Sequence, residues 1–147
     1  MPRSRHWTDE TGSASVEFIT VGLLMLVPLV YLVLALSAIQ AGAFAAEGAA
    51  RQAARVFVQA RDLPSAEASA ERALEFALAD HGIEGGAGIE VSCSAAVCLT
   101  RQAFVTVSVE LTVPLPLVPP VLVGDFPLAV PIHATATEQV SRFWVAR

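Results

Sequence analysis

Residues Phe18 to Ile39 read FITVGLLMLVPLVYLVLALSAI, a run of 22 residues without a charged side chain. The nearest carboxylates are Glu17 on one side and Glu47 on the other. As an α-helix, such a run rises about 1.5 Å per residue and covers a hydrocarbon core of about 30 Å. The run therefore predicts a transmembrane helix, with a short segment before it and a longer tail after it.

The composition of the whole chain agrees with contact to a membrane. The chain has 147 residues, of which 54% are apolar, so it can hold one domain in addition to the helix. Its basic residues are nine scattered arginines, and its formal net charge is -5. A nucleic-acid partner requires a basic stripe that neutralises phosphates. We therefore expect the membrane, and not nucleic acid, as a partner.

A secretory signal peptide is the alternative interpretation of the apolar run. Small-residue triplets at residues 41–43 and 43–45 are sites that a signal peptidase could cut. However, a signal peptide has an apolar region of about 7 to 15 residues after a positive start, whereas this run is longer and follows Asp9 and Glu10. N-terminal sequencing of the mature protein distinguishes the two.

The residues that lead into the run form a recognisable motif. Residues 12–18 read GSASVEF. In this motif a glycine is followed five residues later by a glutamate that directly precedes the apolar run. This motif resembles the processing site of type IV prepilins. Pro28 in the helix, the continuation EGAARQAARVF and a short β-rich tail extend the likeness. The whole chain resembles the TadE-like branch of the Flp, or tight-adherence, pilus system.

The resemblance implies a processed membrane protein. Prepilin peptidase would cut after Gly12, remove residues 1–12 as a cytoplasmic leader and expose Ser13, where the family's N-terminal methylation would fall. Glu17 and Phe18 would serve assembly with other pilin or pseudopilin subunits. The chain would then be a minor pilin or pseudopilin that acts in assembly of Flp/Tad-type pili. Residues 13–61 would form the helix, and residues 62–147 an extracytoplasmic domain.

Glu17 can also be interpreted without the family. A carboxylate carried into hydrocarbon is costly, so it should have a cation nearby. Cleavage after Gly12 would create an α-amino group on Ser13, one helical turn away, and the amine of a neighbouring subunit could serve equally. The alternative is a charge at the level of the lipid headgroups that only ends the span.

The helix is expected to bend once and to continue beyond the membrane. Pro28 removes the hydrogen bond to the carbonyl of Leu24, which predicts a bend or a loosened turn. Good helix formers dominate from Ser37 to Ala60, so one helix of about 45 residues is predicted. Small residues spaced three and four apart form a seam on which another helix could approach closely: Ala38, Gly42, Ala45, Ala49 and Gln52 or Ala53.

The tail predicts an α+β domain, with a second helix and a small antiparallel sheet. Either Asp62 or Ser65 can cap the helix, which should run to about Asp80 and stop at Gly82. We expect this helix to cover the sheet with one apolar face, formed by Ala70, Ala73, Leu74, Ala77 and Leu78. Residues 85–88 (GGAG) predict a flexible turn. Alternating apolar and polar residues predict three strands, at residues 89–93, 105–113 and 132–137.

The two cysteines bear on the orientation of the chain. Cys93 and Cys98 lie at what is predicted to be the end of one strand and the start of another, a setting that suits a small disulfide loop in an oxidising compartment. We therefore expect a single-pass protein of the cell membrane, with a cytoplasmic N-terminus and an extracytoplasmic tail. Arginines on both sides of the span do not decide this orientation. A metal pair is the alternative, but it would need two more ligands, and the nearest candidate, His133, is alone.

Enzyme chemistry finds little support in the sequence. His6, His81 and His133 have no neighbouring nucleophile or carboxylate motif, and no glycine-rich phosphate loop follows a strand. We therefore expect no enzyme activity, cofactor or metal.

Residues 114–123 read PLPLVPPVLV, and the four prolines exclude a central strand or a helix interior. This apolar segment is expected to pack under the second helix, to lie at the membrane surface or to contact a partner subunit. The functional alternative to a pilin is a membrane-anchored or secreted binding module that recognises an extracellular ligand through the segment.

Overall fold

The chain forms two helices followed by a three-stranded sheet, the α+β architecture that the sequence predicts. The structure, a computed structural model, describes residues 13–83, 86–117 and 129–145. The elements are α1 (Ser13–Gln59), α2 (Leu63–Asp80), β1 (Ala87–Cys93), β2 (Phe104–Pro114) and β3 (Ala129–Gln139).

Helix α1 is continuous over 47 residues and contains Pro28 in its interior. At about 1.5 Å per residue it is about 70 Å long, more than twice the length that a membrane core requires. The predicted continuation of the helix beyond the apolar run is confirmed. The two halves of α1 lie in different surroundings, because every residue from 14 to 34 is exposed whereas the C-terminal half belongs to the core.

Helix α2 begins at a side-chain cap. Asp62 has an extended backbone, and its Oδ1 accepts a hydrogen bond of 2.8 Å from the backbone N–H of Ser65. Asp62, and not Ser65, is therefore the cap, and Pro64 sits in the first turn, where its missing N–H costs nothing. The helix ends at Asp80, as predicted, and Gly82 follows with a φ of +66°.

The three strands form one antiparallel sheet in the order β1-β2-β3. The centre of the sheet pairs Val107 with Val91 on one side and Ala136 on the other. All three strands are longer than predicted, and the predicted turn at residues 85–88 is wrong at Ala87 and Gly88, which pair with β2. Strand pairing uses the backbone, so small side chains do not prevent it. Residue 85 lies outside the described residues.

The sheet is covered by α1 and not by α2, which corrects the expectation from the sequence. The C-terminal half of α1 packs against β2 and β3, and α2 packs against α1. Buried residues of α2 form a narrow stripe with a spacing of four: Ala66, Ala70, Leu74 and Leu78. From Ala45 onward, the buried residues of α1 occur in adjacent pairs, so the buried arc is wide enough to contact both neighbours: Ala45 and Ala46, Ala49 and Ala50, Ala53 and Ala54, Phe57 and Val58.

Strand β2 runs antiparallel to α1, which gives the domain two distinct ends. At the far end, the Trp144 indole N–H donates a 2.8 Å hydrogen bond to the carbonyl of Ala60, just after α1. At the other end, Gly42 of α1 lies directly against Val113 and Ile132. We call this second end the span end, because the exposed apolar half of α1 leaves the domain there.

Candidate membrane and assembly surface

The N-terminal half of α1 presents apolar side chains in every direction. Its large hydrophobic residues from Val16 to Leu36 are between 36% and 80% exposed, with Phe18 the most exposed. A helix that is apolar all round is normally buried in a protein core or in a membrane. Residues 14–34 are all exposed, and by length and composition this half could cross a membrane.

Two details inside this half concern its polar groups. The Thr20 hydroxyl donates a 2.7 Å hydrogen bond to the backbone carbonyl of Val16, so its proton is satisfied within the helix. Pro28 lacks an N–H, which leaves the carbonyl of Leu24 without its usual donor. The helix nevertheless continues through Pro28, and the bend at this position stays a prediction.

Glu17 lies near the start of α1, four residues after Ser13. Because both residues are helical, their backbones are one turn apart, about 6 Å along the axis. Glu17 is exposed, and within the described part of the chain the ion pairs are Arg51 with Glu47 and His133 with Glu110, so Glu17 takes part in none. Gly12, the predicted residue before the cut, lies outside the described residues.

Cys93 and Cys98 lie at disulfide distance, as the sequence predicts. Their Cα atoms are 5.2 Å apart, and the bridge closes the loop that follows β1. Ser94 supports the same loop, because its N–H donates to the carbonyl of Phe104 and its hydroxyl accepts from the N–H of Phe104, both at 2.9 Å. Among the described residues no cysteine is free, and no three His, Cys, Asp or Glu side chains cluster as metal ligands would.

The small-residue seam of α1 is occupied within the chain itself. Ala45, Ala49 and Ala53 are almost fully buried, whereas Gln52 is exposed. The helix that approaches α1 closely is α2 of the same chain, and at Gly42 the neighbour is the sheet. The seam therefore holds the domain together, and it is not a free surface for a partner helix.

Two residues of the core were not predicted from the sequence. Phe57 is the largest fully buried side chain, and Trp144 joins the end of the chain to the end of α1. The carbonyl of Trp144 in turn accepts a 2.8 Å hydrogen bond from Nε of Arg101. A signal was present, because the last carbonyls of a helix need donors and a tryptophan N–H needs an acceptor.

The histidines lie apart from one another. His81 follows the end of α2, and His133 lies on the exposed face of the sheet with its Nε2 3.7 Å from Oε1 of Glu110. Both side chains of that pair are 64% exposed, so the pair is solvated. In residues 13–83, 86–117 and 129–145, the serine and threonine hydroxyls that donate hydrogen bonds do so to backbone carbonyls or to another hydroxyl, and both cysteines are in the bridge, so none donates to either imidazole. His6 lies outside these residues.

The proline-rich segment leaves the domain at the span end. Pro114 closes β2 by pairing with Ala129 of β3, and a turn follows in which Leu115 and Pro116 are half-buried. Leu117 has a φ of +62° and is 76% exposed. It does not pack under α2, so the expectation that the proline-rich segment packs under the second helix is wrong for Leu117. Residues 118–123 lie outside the described residues.

No family model matches this chain, and no curated protein or solved structure matches it significantly.

Proposed function

We propose that this chain is a TadE-like minor pilin or pseudopilin, processed by prepilin peptidase and active in assembly of Flp/Tad-type pili. The observation that carries the proposal is helix α1, whose exposed apolar half continues without interruption into the core of a small domain. Such a helix lets one element both anchor a subunit in a membrane and later pack against its neighbours in a filament. The GSASVEF motif stands at the start of this helix, where a pilin is processed.

The proposed location is the cell membrane, with a cytoplasmic N-terminus and an extracytoplasmic domain. The cysteine pair supports this orientation, because disulfides persist in oxidising compartments. The pair joins the last residue of β1 to the loop that follows, at the far end of the domain from the span. A single pass through the membrane then separates the leader from the domain.

Processing is tested by changing the residue before the proposed cut. Co-expression with a prepilin peptidase should shorten the wild-type chain by the twelve residues of the leader, as mass spectrometry of the product would show. Gly12→Val should stay at full length, because a bulky side chain obstructs the peptidase at that bond. Gly22→Val is the matched control, since a side chain at Gly22 meets nothing within 4 Å and lies away from the bond. Normal shortening of Gly12→Val would refute the assignment.

Assembly is tested at Glu17. If its carboxylate pairs with the Ser13 amine of a neighbouring helix in a low-dielectric setting, removing one partner costs about 3 to 5 kcal/mol. Since about 1.4 kcal/mol is a tenfold change in affinity, Glu17→Ala should abolish measurable co-purification with pilin partners. Insertion should be normal, because it depends on the apolar run.

Glu47→Ala is the control for this experiment. Glu47 is a carboxylate of the same helix, but its 3.2 Å pair with Arg51 is solvent-exposed and lies past the apolar run. Partner recovery should therefore be unchanged in Glu47→Ala. If Glu17→Ala recovers as much of the pilin partners as Glu47→Ala does, Glu17 only ends the span.

A further inference from the structure

The span end of the domain lies at the level where the apolar run of α1 ends. Gly42 is three residues past Ile39, a rise of about 4.5 Å. A side-chain carbon at Gly42 would collide with Cγ2 of Val113 and lie 3.0 Å from Cδ1 of Ile132. The end of β2 is therefore held against α1 at the height where the proposed membrane span gives way to the domain.

Three described residues follow the end of β2 at this level. Strand β2 runs from the far end, near Ala60 and Trp144, to Gly42. Its last pair is Pro114 with Ala129, and the described residues beyond that pair are Leu115, Pro116 and Leu117. Leu115 and Pro116 are half-buried, and Leu117 is exposed.

Two large apolar side chains are exposed at this end of the domain. Leu117 is 76% exposed, and Phe44, on the outer face of α1 just past the run, is 67% exposed. The sequence has no charged residue between Glu110 and Asp125. Prolines at 114 and 116 lack N–H groups, so this backbone brings fewer unsatisfied donors into an apolar medium than other residues would.

We propose that the segment Pro114–Leu117 inserts into the surface of the lipid bilayer that α1 crosses, as a second anchor beside the helix. The inference rests on the proposed transmembrane role of α1. Lipid is the occupant because the segment continues the apolar surface of α1 at the same height. The far end also exposes apolar side chains, Phe143 among them, but it lies about 27 Å higher along α1 and cannot reach the bilayer.

The test places a fluorescent label at one cysteine in the full chain, reconstituted in phosphatidylcholine–phosphatidylglycerol nanodiscs. The variants are Leu117→Cys, Phe143→Cys and Leu32→Cys, labelled without reductant so that the Cys93–Cys98 bridge stays intact. Leu117 and Phe143 are a matched pair, because both are 76% exposed at opposite ends of the domain. Leu32 reports on the span.

Lipids that carry a shallow nitroxide should quench the label at position 117 at least twofold more than the label at 143, and emission at 117 should be shifted to the blue. Equal quenching at 117 and 143 would overturn the inference, as would a blue shift at 117 without lipid quenching, which indicates a protein contact. Lipids that carry a deep nitroxide should quench the label at position 32, which lies in the span. If they do, either of the two contrary results at position 117 refutes only the second anchor. Absence of quenching at 32 would refute the transmembrane role of α1 as well.

Discussion

At the scale of single residues, the absence of a side chain at Gly42 allows the sheet to meet α1. Val113 and Ile132 occupy the space that a Cβ at this position would need. Valine is stiff about χ1, so Val113 cannot swing aside at low cost. Gly48 lies six residues further along the same helix, but a Cβ there would meet nothing within 4 Å. Two glycines of one helix therefore have opposite roles.

This contrast gives a paired prediction for stability. Gly42→Ala should lower the free energy of unfolding by about 1 to 3 kcal/mol, the usual cost of overpacking. Gly48→Ala should raise it by about 0.5 to 1 kcal/mol, because alanine loses less backbone entropy in a helix. Both are measured by denaturant unfolding of the full chain in detergent micelles. If the free energy of unfolding of Gly42→Ala is not lower than that of Gly48→Ala, the contact at Gly42 is loose.

At the scale of the elements, each helix boundary has a local chemical cause. Helix α2 starts where the carboxylate of Asp62 satisfies the N–H of Ser65. That N–H, together with the Ser65 hydroxyl and the charge of Arg61, holds the pKa of the Asp62 carboxyl below its ordinary value. At the end of α1, the Trp144 indole supplies the donor that the carbonyl of Ala60 needs.

The cap at Asp62 predicts a specific dependence on pH. Because the folded-state pKa of Asp62 is lowered, its ionised form stabilises the fold above the unfolded pKa of about 3.9, and this contribution is lost as the pH falls through the folded pKa. Asp62→Asn keeps a good cap but does not titrate. The wild type should therefore lose stability relative to Asp62→Asn on acidification below about pH 4.

The measurement is denaturant unfolding at a series of pH values from neutral to acidic, compared as differences between the two proteins so that other titrating groups cancel. Asp62→Ala is the control, since it lacks a cap and should be less stable than Asp62→Asn at every pH. A stability difference between wild type and Asp62→Asn that does not change with pH would contradict this account of the cap.

At the scale of the whole molecule, one core joins both helices to the sheet. Phe57 and the valines of β2 lie at its centre, and the chain returns through Trp144 to the far end of α1. The disulfide lies outside this centre, since Cys93 is only partly buried at the last pair of β1. The fold is therefore held mainly by apolar burial, and the bridge constrains one turn.

Loss of the disulfide should weaken the domain without unfolding it. The bridge closes a short loop, with a sequence separation of 5, for which the chain-entropy model gives about 2 kcal/mol. The double variant Cys93→Ser/Cys98→Ser should lose about that much stability and keep its circular dichroism spectrum. Reductant should lower the stability of the wild type by a similar amount and leave the variant unchanged.

Alkylation without reductant, followed by mass spectrometry of protein from the cell envelope, should find neither cysteine modified. Two alkylated thiols in such native material would count against both the bridge and the extracytoplasmic location of the domain.

Local chemistry alone specified much of this protein. A run without charges is apolar whatever it contacts, so the long helix could be predicted from Phe18 to Ile39, and the alternation of β2 could be predicted in the same way. The sequence left Asp62 and Ser65 as alternative caps of α2, and the structure decides for Asp62. Pairing of Cys93 with Cys98 also followed, because no other cysteine exists. Of the candidate site, the spacing of Ser13 and Glu17 on one helix follows from the sequence in the same way.

The partners of each surface were decided only by the tertiary structure. Alanine is so frequent in α1 and α2 that many faces could pack closely, and the sequence does not say that α1 covers the sheet while α2 contacts α1. Gly42 meets Val113, and Trp144 meets Ala60, across long sequence separations. Such contacts depend on which surfaces of the folded chain lie opposite one another, and no local pattern of residues encodes that.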